Sequence, residues 1–247
     1  MIRKWFSWFN SSSKDATPFC QKRLLIFGLG RTGSTVLEDL LQSTGYFKAH
    51  GELFNPSEPI QPDPVQYFLD QAISCKDKHF IAHVKLYEMA SVDQSGMTKR
   101  AFLEALLQHG WQIIYLTRTN KLKHNLSSYR AHETAIFHSE EVLPSVSRPI
   151  DCFKFKHSML QLIRWEEDER KLLTDLPHLE IQYERHLENG LSHQSTVKTI
   201  LDYVGLPHRT VETKHKKVLR GELKALITNY DEFVEEMTNE GFGRYLE

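Results

Sequence analysis

A glycine-rich stretch near the N-terminus combines one arginine with three hydroxyl side chains. It follows a short apolar run and reads Gly28-Leu29-Gly30-Arg31-Thr32-Gly33-Ser34-Thr35. A loop of this kind between a strand and a helix exposes backbone N–H groups at the positive end of the helix dipole, where phosphate groups bind. The Arg31 guanidinium can bind an oxyanion bidentately, and Ser34 and Thr35 add hydroxyl donors. The stretch therefore predicts an anion site that is compatible with several phosphate-bearing ligands.

Two common nucleotide folds match this stretch in part. The spacing Gly28-x-Gly30-x-x-Gly33 is the dinucleotide fingerprint, and Glu52 lies near the distance at which that fold places a ribose-binding carboxylate. Residues 48–51, however, look like a poor strand end. A P-loop kinase would require lysine where Ser34 stands, and no second acidic site for magnesium follows a predicted strand. An NAD(P)-dependent oxidoreductase and a non-catalytic nucleotide-binding module remain alternatives.

A second polar motif begins directly after another predicted strand. It reads Arg118-Thr119-Asn120-Lys121-Leu122-Lys123-His124-Asn125-Leu126-Ser127, and Tyr129-Arg130-Ala131 follows soon after. We expect Arg118 at the end of the strand and Ser127 about two and a half turns into the next helix. Together these two side chains can hold a second phosphate beside the first.

The two motifs together resemble the nucleotide sites of sulfotransferases that use 3′-phosphoadenosine 5′-phosphosulfate (PAPS). Residues 31–35 are similar to the family's 5′-phosphosulfate loop, with arginine for the commoner lysine, and Arg118 with Ser127 is similar to its 3′-phosphate site. The nine-position interval between Arg118 and Ser127 resembles the bacterial carbohydrate subgroup, of the trehalose and nodulation-factor type. The resemblance implies PAPS as co-substrate, 3′,5′-adenosine bisphosphate as product, no metal, and a carbohydrate or glycolipid hydroxyl as acceptor.

The same resemblance implies three catalytic residues. Arg31 would stabilise the leaving phosphate, because sulfuryl transfer needs no metal where a cation and backbone amides neutralise that charge. Glu52 takes the place of a carboxylate proposed as general base in the subgroup, and His50 is the rival base. Lys85, in His83-Val84-Lys85-Leu86, resembles a residue near the acceptor pocket and would bind acceptor or sulfuryl oxygens.

The elements that must position these residues are predicted from apolar runs and end signals. Strands are expected at 23–29, 46–49, 79–85, 111–117 and 179–183, and helices at 34–44, 63–74, 98–109, 121–137, 152–173 and 195–204. This alternation indicates an α/β fold with a central, mostly parallel sheet flanked by helices, and the resemblance implies its P-loop-like sulfotransferase form. Ligands bind such sheets beyond the carboxyl ends of the strands, where the glycine loop, Glu52, Lys85 and Arg118 all fall.

The composition limits the function classes. The 247 residues are 40% hydrophobic and 26% charged, which is typical of a globular protein, and the formal net charge of −1 disfavours a dedicated nucleic-acid binder. Three widely spaced cysteines, Cys20, Cys75 and Cys152, predict neither a disulfide framework nor a zinc site. We therefore expect a cytoplasmic enzyme with a small-molecule, saccharide or glycolipid acceptor and no nucleic-acid partner.

The two ends of the chain receive separate predictions. Residues 1–20 are expected to be a flexible tail before a sulfotransferase domain over residues 21–247. An alternative to a frayed tail is weak peripheral contact with a membrane, because residues 3–9 combine aromatic and basic side chains. No apolar run approaches the ~20 residues that span a bilayer. A C-terminal basic run is typical of a solvated helix face, with contact to the nucleotide as the alternative; it comprises Lys214, Lys216, Lys217 and Arg220.

Overall fold

A sheet of five parallel strands forms the centre of the chain. The structure is a computed structural model that describes residues 21–246 except 56, 58, 76, 135–145 and 216–220. The strands are β1 (Arg23–Phe27), β2 (Phe47–Glu52), β3 (His79–Val84), β4 (Trp111–Thr117) and β5 (His178–Gln182), and their order across the sheet is β2-β3-β1-β4-β5. All neighbouring pairs run parallel, so the predicted α/β fold class is confirmed.

Helices connect the strands and continue beyond the last one. In the described ranges they are α1 (Ser34–Ser43), α2 (Pro64–Ser74), α3 (Ala90–Gln94), α4 (Lys99–Gln108), α5 (Lys121–Thr134), α6 (Cys152–Leu173), α7 (Tyr183–His186), α8 (His193–Val204), α9 (Leu223–Leu226) and α10 (Tyr230–Asn239). Two of the predicted helix starts are confirmed by their caps. The Asp63 carboxylate accepts from the Gln66 N–H at 2.9 Å, and the Thr98 hydroxyl accepts from the Ala101 N–H at 3.1 Å.

Alternate residues of β1 supply two apolar cores, one on each face of the sheet. Leu25 and Phe27 pack with buried side chains of α2 and α4, whereas Leu24 and Ile26 pack with α1 and α8. Each fully buried side chain of this size contributes about 1.5–3 kcal/mol. A third core joins α5, α6 and α10. The packed faces hold the carboxyl ends of the strands in fixed positions, and these ends carry the site.

The prediction that residues 48–51 form a poor strand end was wrong. The strand β2 continues through Glu52, which pairs with His83 of β3 after an irregularity in register that begins at Ala49. Gly51 has φ 67°, a left-handed conformation that favours glycine, and it lies within the bulge. The bulge therefore brings Glu52 to the β3 side of the sheet edge.

Other boundaries differ by one or two residues or fall outside the description. β1 ends at Phe27 instead of Leu29, and Tyr183 begins the short helix α7 instead of ending a strand. The predicted tail 1–20, the end of the predicted helix 121–137, and the basic residues Lys216, Lys217 and Arg220 lie outside the described residues. No helix in the described ranges is both long and apolar enough to cross a membrane.

Candidate active site

The glycine loop joins β1 to α1, as predicted, and its backbone requires glycine at two positions. A Cβ atom at Gly28 would collide with the carbonyl oxygen of Leu116 in the adjacent strand. Gly33, the N-cap residue of α1, has φ 98°, and a Cβ there would lie 2.9 Å from the Tyr183 ring. Arg31 itself has φ 67°, which costs a non-glycine residue on the order of 1 kcal/mol. Strain of this kind persists only where neighbouring groups hold it.

Side chains from α5 and the end of β4 hold the carbonyl groups of the loop. His124 Nε2–H donates to the Gly30 carbonyl at 2.7 Å, and Arg118 Nη1 donates to the Arg31 carbonyl at 3.3 Å. Burial, with a smaller effect from the Arg118 charge, lowers the pKa of His124 to about 3, so its imidazole is neutral and a directional donor. Inside the loop, the Thr32 hydroxyl donates to the Leu29 carbonyl at 2.7 Å. Two residues of the second motif, Arg118 and His124, therefore hold the backbone of the glycine loop in place.

The residues predicted for two phosphate sites lie in direct contact. Arg31 Nε donates to Ser127 Oγ at 3.3 Å, and Arg118 reaches Arg31 through its bond to the Arg31 carbonyl. The Arg118 guanidinium also stacks over the Tyr183 ring, with 4.6 Å between its carbon and the ring centroid. Its Nε lies 3.6 Å from Glu184 Oε1, beyond hydrogen-bond distance. The structure therefore brings Arg31, Arg118 and Ser127 together at the N-terminus of α1.

This cationic cluster is only partly compensated. Burial lowers the pKa of Arg31, and the neighbouring Arg118 charge lowers it further. Burial also lowers the pKa of Arg118, although Tyr183 and Glu184 oppose the effect. A guanidinium stays protonated at neutral pH, so the shifts mean that a bound anion would stabilise both groups. Among the described residues, no acidic side chain lies in the first turn of α1 and no side chain caps it.

Glu184 organises the turn that carries Arg118. Its carboxylate accepts from the Thr119 N–H at 2.9 Å and from the Asn120 N–H at 3.1 Å. Burial alone would raise the pKa of Glu184, but these backbone hydrogen bonds outweigh it and lower the pKa. The carboxylate is therefore committed to the backbone more closely than to the Arg118 guanidinium.

Glu52 and Lys85, two of the predicted catalytic residues, also contact each other. Lys85 Nζ donates to Glu52 Oε1 and, at 2.8 Å, to Glu88 Oε1. Burial alone would lower the pKa of Lys85, but the two hydrogen bonds outweigh it and raise the pKa. His83 lies behind the pair, with Nδ1 3.9 Å from Glu52 Oε1 and Nε2 3.4 Å from the Gly28 carbonyl oxygen. Lys85 is thus a cation that two carboxylates compensate.

His50, the rival base, lies apart from this group. Its Nε2 is 3.7 Å from the Cys75 sulfur, and its ring stacks on Phe80 with 4.8 Å between centroids. Burial lowers the pKa of His50. Of the two candidate bases, only Glu52 therefore has a bond to another predicted catalytic residue, Lys85, among the described contacts.

Sequence reasoning missed three residues at this edge: His124, Glu38 and Tyr87. Burial, with the Glu52 charge nearby, raises the pKa of Glu38 to about 7, and its Oε1 is buried without a hydrogen-bond partner among the described residues. Tyr87 Oη accepts from the Gly30 N–H at 3.3 Å. Glu38 lies off the apolar face that Leu37, Leu40 and Leu41 form, so the sequence carries no signal for its burial. The Tyr87 contact joins residues 57 positions apart and has no local signal.

A cavity of about 410 Å³ lies beside the loop on the α1 face of the sheet. Its lining includes Val36 of α1, Tyr183, Leu187 and residues 211–213. Tyr183 also contacts the loop at Gly33 and the Arg118 guanidinium, so the cavity opens next to the cationic cluster. Its volume is within the range of about 300–1,000 Å³ that is usual for small-molecule sites. In the described ranges, no group of three or more His, Cys, Asp or Glu residues is arranged to hold a metal ion.

Comparison with known proteins gives distant structural similarities, of which two are described. No protein-family model matches the chain, and no curated protein has a matching sequence. The structure is similar to that of mouse sulfotransferase SULT7A1 complexed with PAP, with 16% identity, a TM-score of 0.41, and coverage of 91% of this chain and 88% of that chain. It is also similar to deoxyadenosine kinase from M. mycoides with bound dCTP, with 13% identity, a TM-score of 0.35, and coverage of 74% and 99%. A functional conclusion must therefore depend on the geometry of the site.

Proposed function

We propose that this protein transfers a sulfuryl group from PAPS to a hydroxyl group of a carbohydrate or glycolipid. The observation that carries the proposal is the cluster of two arginines at the N-terminus of α1, where buried Arg118 donates to the Arg31 carbonyl and the half-buried Arg31 side chain donates to Ser127. PAPS bears a 5′-phosphosulfate and a 3′-phosphate on one ribose, so it needs two cationic sites close together. A ligand with a single phosphate would occupy only one of the two sites.

The residues present fit this co-substrate. The first turn of α1 offers N–H groups that are neither capped by a side chain nor opposed by an acidic side chain in the described residues. Arg118 Nε is buried and has no hydrogen-bond partner among the described residues, so a phosphate oxygen would satisfy it. The adjacent cavity of about 410 Å³ has the apolar walls, Val36 and Leu187, that an adenine base would need.

Each residue then has a defined task in an in-line transfer. The acceptor oxygen forms a bond to sulfur while the bond between sulfur and the bridging oxygen breaks, and the leaving group departs as the 5′-phosphate of 3′,5′-adenosine bisphosphate. Arg31 stabilises the charge that develops on that phosphate. Glu52 accepts the proton of the acceptor hydroxyl. Lys85 holds Glu52 Oε1, which leaves Oε2 as the atom that takes the proton.

The sheet order disfavours a dinucleotide-binding oxidoreductase. In that fold the first two strands are neighbours, and the acidic residue after the second strand reaches the ribose beside the glycine loop. Here β3 separates β1 from β2, and the Glu52 carboxylate is bonded to Lys85. A P-loop kinase is disfavoured by Ser34, which stands where its phosphate-binding lysine is required.

Calorimetry with three nucleotides tests the proposal. We expect 3′,5′-adenosine bisphosphate to bind, and NAD and ATP to show no binding at the same concentrations. Binding of NAD without the bisphosphate would contradict the proposal. If the bisphosphate binds but labelled PAPS transfers nothing to any carbohydrate or glycolipid, the protein is a nucleotide-binding module and not an enzyme.

A further inference from the structure

An aromatic pair extends from the glycine loop on the face of the sheet opposite the 410 Å³ cavity. Tyr87 lies in the turn Leu86–Glu88 after β3, and its ring stacks on Trp165 of α6, with 4.7 Å between centroids and 36° between planes. The hydroxyl end of Tyr87 accepts from the Gly30 N–H. The side chain of Tyr87 is 44% exposed, so this aromatic surface is accessible from solvent.

Two cavities meet at Trp165. One has a volume of about 640 Å³ and is bordered by the turn with Tyr87, by α4 and by α6. The other has a volume of about 490 Å³ and lies between α5 and α6. Trp165 lines both, and both volumes are in the usual range of about 300–1,000 Å³ for small-molecule sites. A ligand in either cavity can therefore contact Trp165.

The walls of these cavities suit a neutral, hydroxyl-bearing ligand. Charged groups of the larger cavity are compensated by partners: Lys171 bonds Asp168 at 3.0 Å, and Lys99 bonds Asp93 at 3.1 Å. The smaller cavity presents the neutral hydrogen-bonding groups of Ser128 and Gln161, and its carboxylate, Glu133, is paired with Arg130 at 2.6 Å. An acyl chain would need an apolar wall without these groups, and an anionic ligand would need uncompensated cations. A sugar ring has an apolar face for stacking and a rim of hydroxyls for hydrogen bonds.

We propose that Trp165 and Tyr87 form the acceptor platform, on which a sugar ring stacks against Trp165 while a neighbouring ring presents its hydroxyl beside Gly30. This inference rests on the proposed sulfuryl transfer and assigns its acceptor site. Trp165 is separated from the loop by the whole tyrosine ring, so an acceptor that reaches both needs more than one sugar ring. Tyr87 accepts one hydrogen bond from the loop, and its own O–H is placed to donate to a sulfuryl or acceptor oxygen.

A ladder of sugars tests the platform. Protein saturated with 3′,5′-adenosine bisphosphate is titrated with glucose, maltose and maltotetraose, and binding is measured by calorimetry and tryptophan fluorescence. We expect maltose and maltotetraose to bind more tightly than glucose. Trp165→Ala should raise the dissociation constant of maltotetraose by about tenfold, whereas Trp165→Phe, which keeps a stacking ring, should stay within about threefold.

The matched control is Phe153→Ala. Phe153 lies on the same helix α6, is 68% exposed, and lines neither cavity, so its removal should change no sugar affinity. Tyr87→Phe keeps the stacking ring and removes the hydroxyl. It should lower kcat with labelled PAPS and maltotetraose while the sugar dissociation constant stays within about twofold.

The outcomes separate this inference from the proposed function. If the bisphosphate does not bind the wild-type protein, the proposed function fails and the platform with it. If the bisphosphate binds but no sugar of the ladder does, or if Trp165→Ala binds maltotetraose as tightly as the wild type, the platform is wrong and the proposed function stands. Weaker sugar binding in Trp165→Ala with unchanged bisphosphate binding supports the platform.

Discussion

Two cationic groups lie at the same edge of the sheet, and they differ in how their charge is compensated. Arg118 donates to the Arg31 carbonyl, Arg31 donates to Ser127, and the carboxylate oxygen beside Arg118 lies 3.6 Å from its Nε. Lys85, in contrast, is bonded to both Glu52 and Glu88. The pKa values shift accordingly, because burial lowers those of the arginines whereas the two carboxylates raise that of Lys85. The first group suits an anionic ligand, and the second suits a neutral reactant and its proton.

Of the variants that test this comparison, Arg31→Ala should lower kcat the most. Arg31→Ala removes the cation that we propose stabilises the leaving 5′-phosphate. Loss of one donor that stabilises a transition state lowers kcat by about 10²–10³-fold. Sulfation of a carbohydrate acceptor with labelled PAPS measures the effect. Arg164→Ala, at an exposed position of α6, is the control and should keep the wild-type rate. A wild-type rate in purified Arg31→Ala would contradict the mechanism.

Glu52→Gln tests the Lys85 group, which consists of Lys85 and the two carboxylates bonded to it, Glu52 and Glu88. It removes the proposed base but keeps a side chain of the same size beside Lys85, so we expect kcat to fall about 10²–10³-fold. The dissociation constant of 3′,5′-adenosine bisphosphate should not change, because the Lys85 group is not assigned to the nucleotide. Glu88→Gln removes the other carboxylate bonded to Lys85 and should lower kcat by less than tenfold. Equal losses in the two variants would show that only compensation of Lys85 matters.

Arg118→Ala tests whether the arginine group holds two phosphates. Hydrogen bonds to a charged group contribute about 1.5–3 kcal/mol, so the PAPS dissociation constant should rise about 10–100-fold. Adenosine 5′-phosphosulfate lacks the 3′-phosphate, and its affinity should change much less. Lys85→Met is the contrasting variant and should bind 3′,5′-adenosine bisphosphate within about threefold of wild type. Equal losses of affinity for both donors would remove Arg118 from the 3′-phosphate site.

Sequence reasoning succeeded where the signal is local. The glycine loop, the helix caps Asp63 and Thr98, and the interval from Arg118 to Ser127 are set by neighbours along the chain, and the structure agrees with each prediction of local structure. A strand followed by a glycine turn and a helix needs no distant partner to be recognised.

What depends on contacts between distant residues could not be predicted in the same way. The continuation of β2 to Glu52 depends on pairing with His83, which outweighs the low strand propensity of residues 48–51. The strand order places β3 between β1 and β2, and no local pattern specifies such an order. The contact of Tyr87 with Trp165 joins two elements that are far apart in the sequence, so neither residue shows its partner.

Glu38→Gln should have the smallest effect of these variants, and it tests whether Glu38, near Glu52, is protonated in the folded protein. The pKa of Glu38 rises from 4.5 to about 7 through burial and the nearby Glu52 charge, so the folded protein favours the protonated form. The stability that this contributes is present in full below about pH 4.5 and is lost as the pH rises through about 7. Because glutamine is always neutral, Glu38→Gln should leave Tm nearly unchanged at pH 5 and raise it by about 2–4 °C at pH 8.

Thermal unfolding at the two pH values measures this effect, and the next residue supplies the control. Asp39 accepts from the Thr213 hydroxyl at 2.7 Å and from the Lys214 N–H at 3.1 Å, so Asp39→Asn should lower Tm at pH 5 and at pH 8. An equal rise in Tm for Glu38→Gln at both values would mean that Glu38 is ionised throughout. Glu38 would then add a third negative charge to those of Glu52 and Glu88, against the single positive charge of Lys85. The contrast between the two sides of the edge would in that case be a contrast between a cationic side and a strongly anionic one.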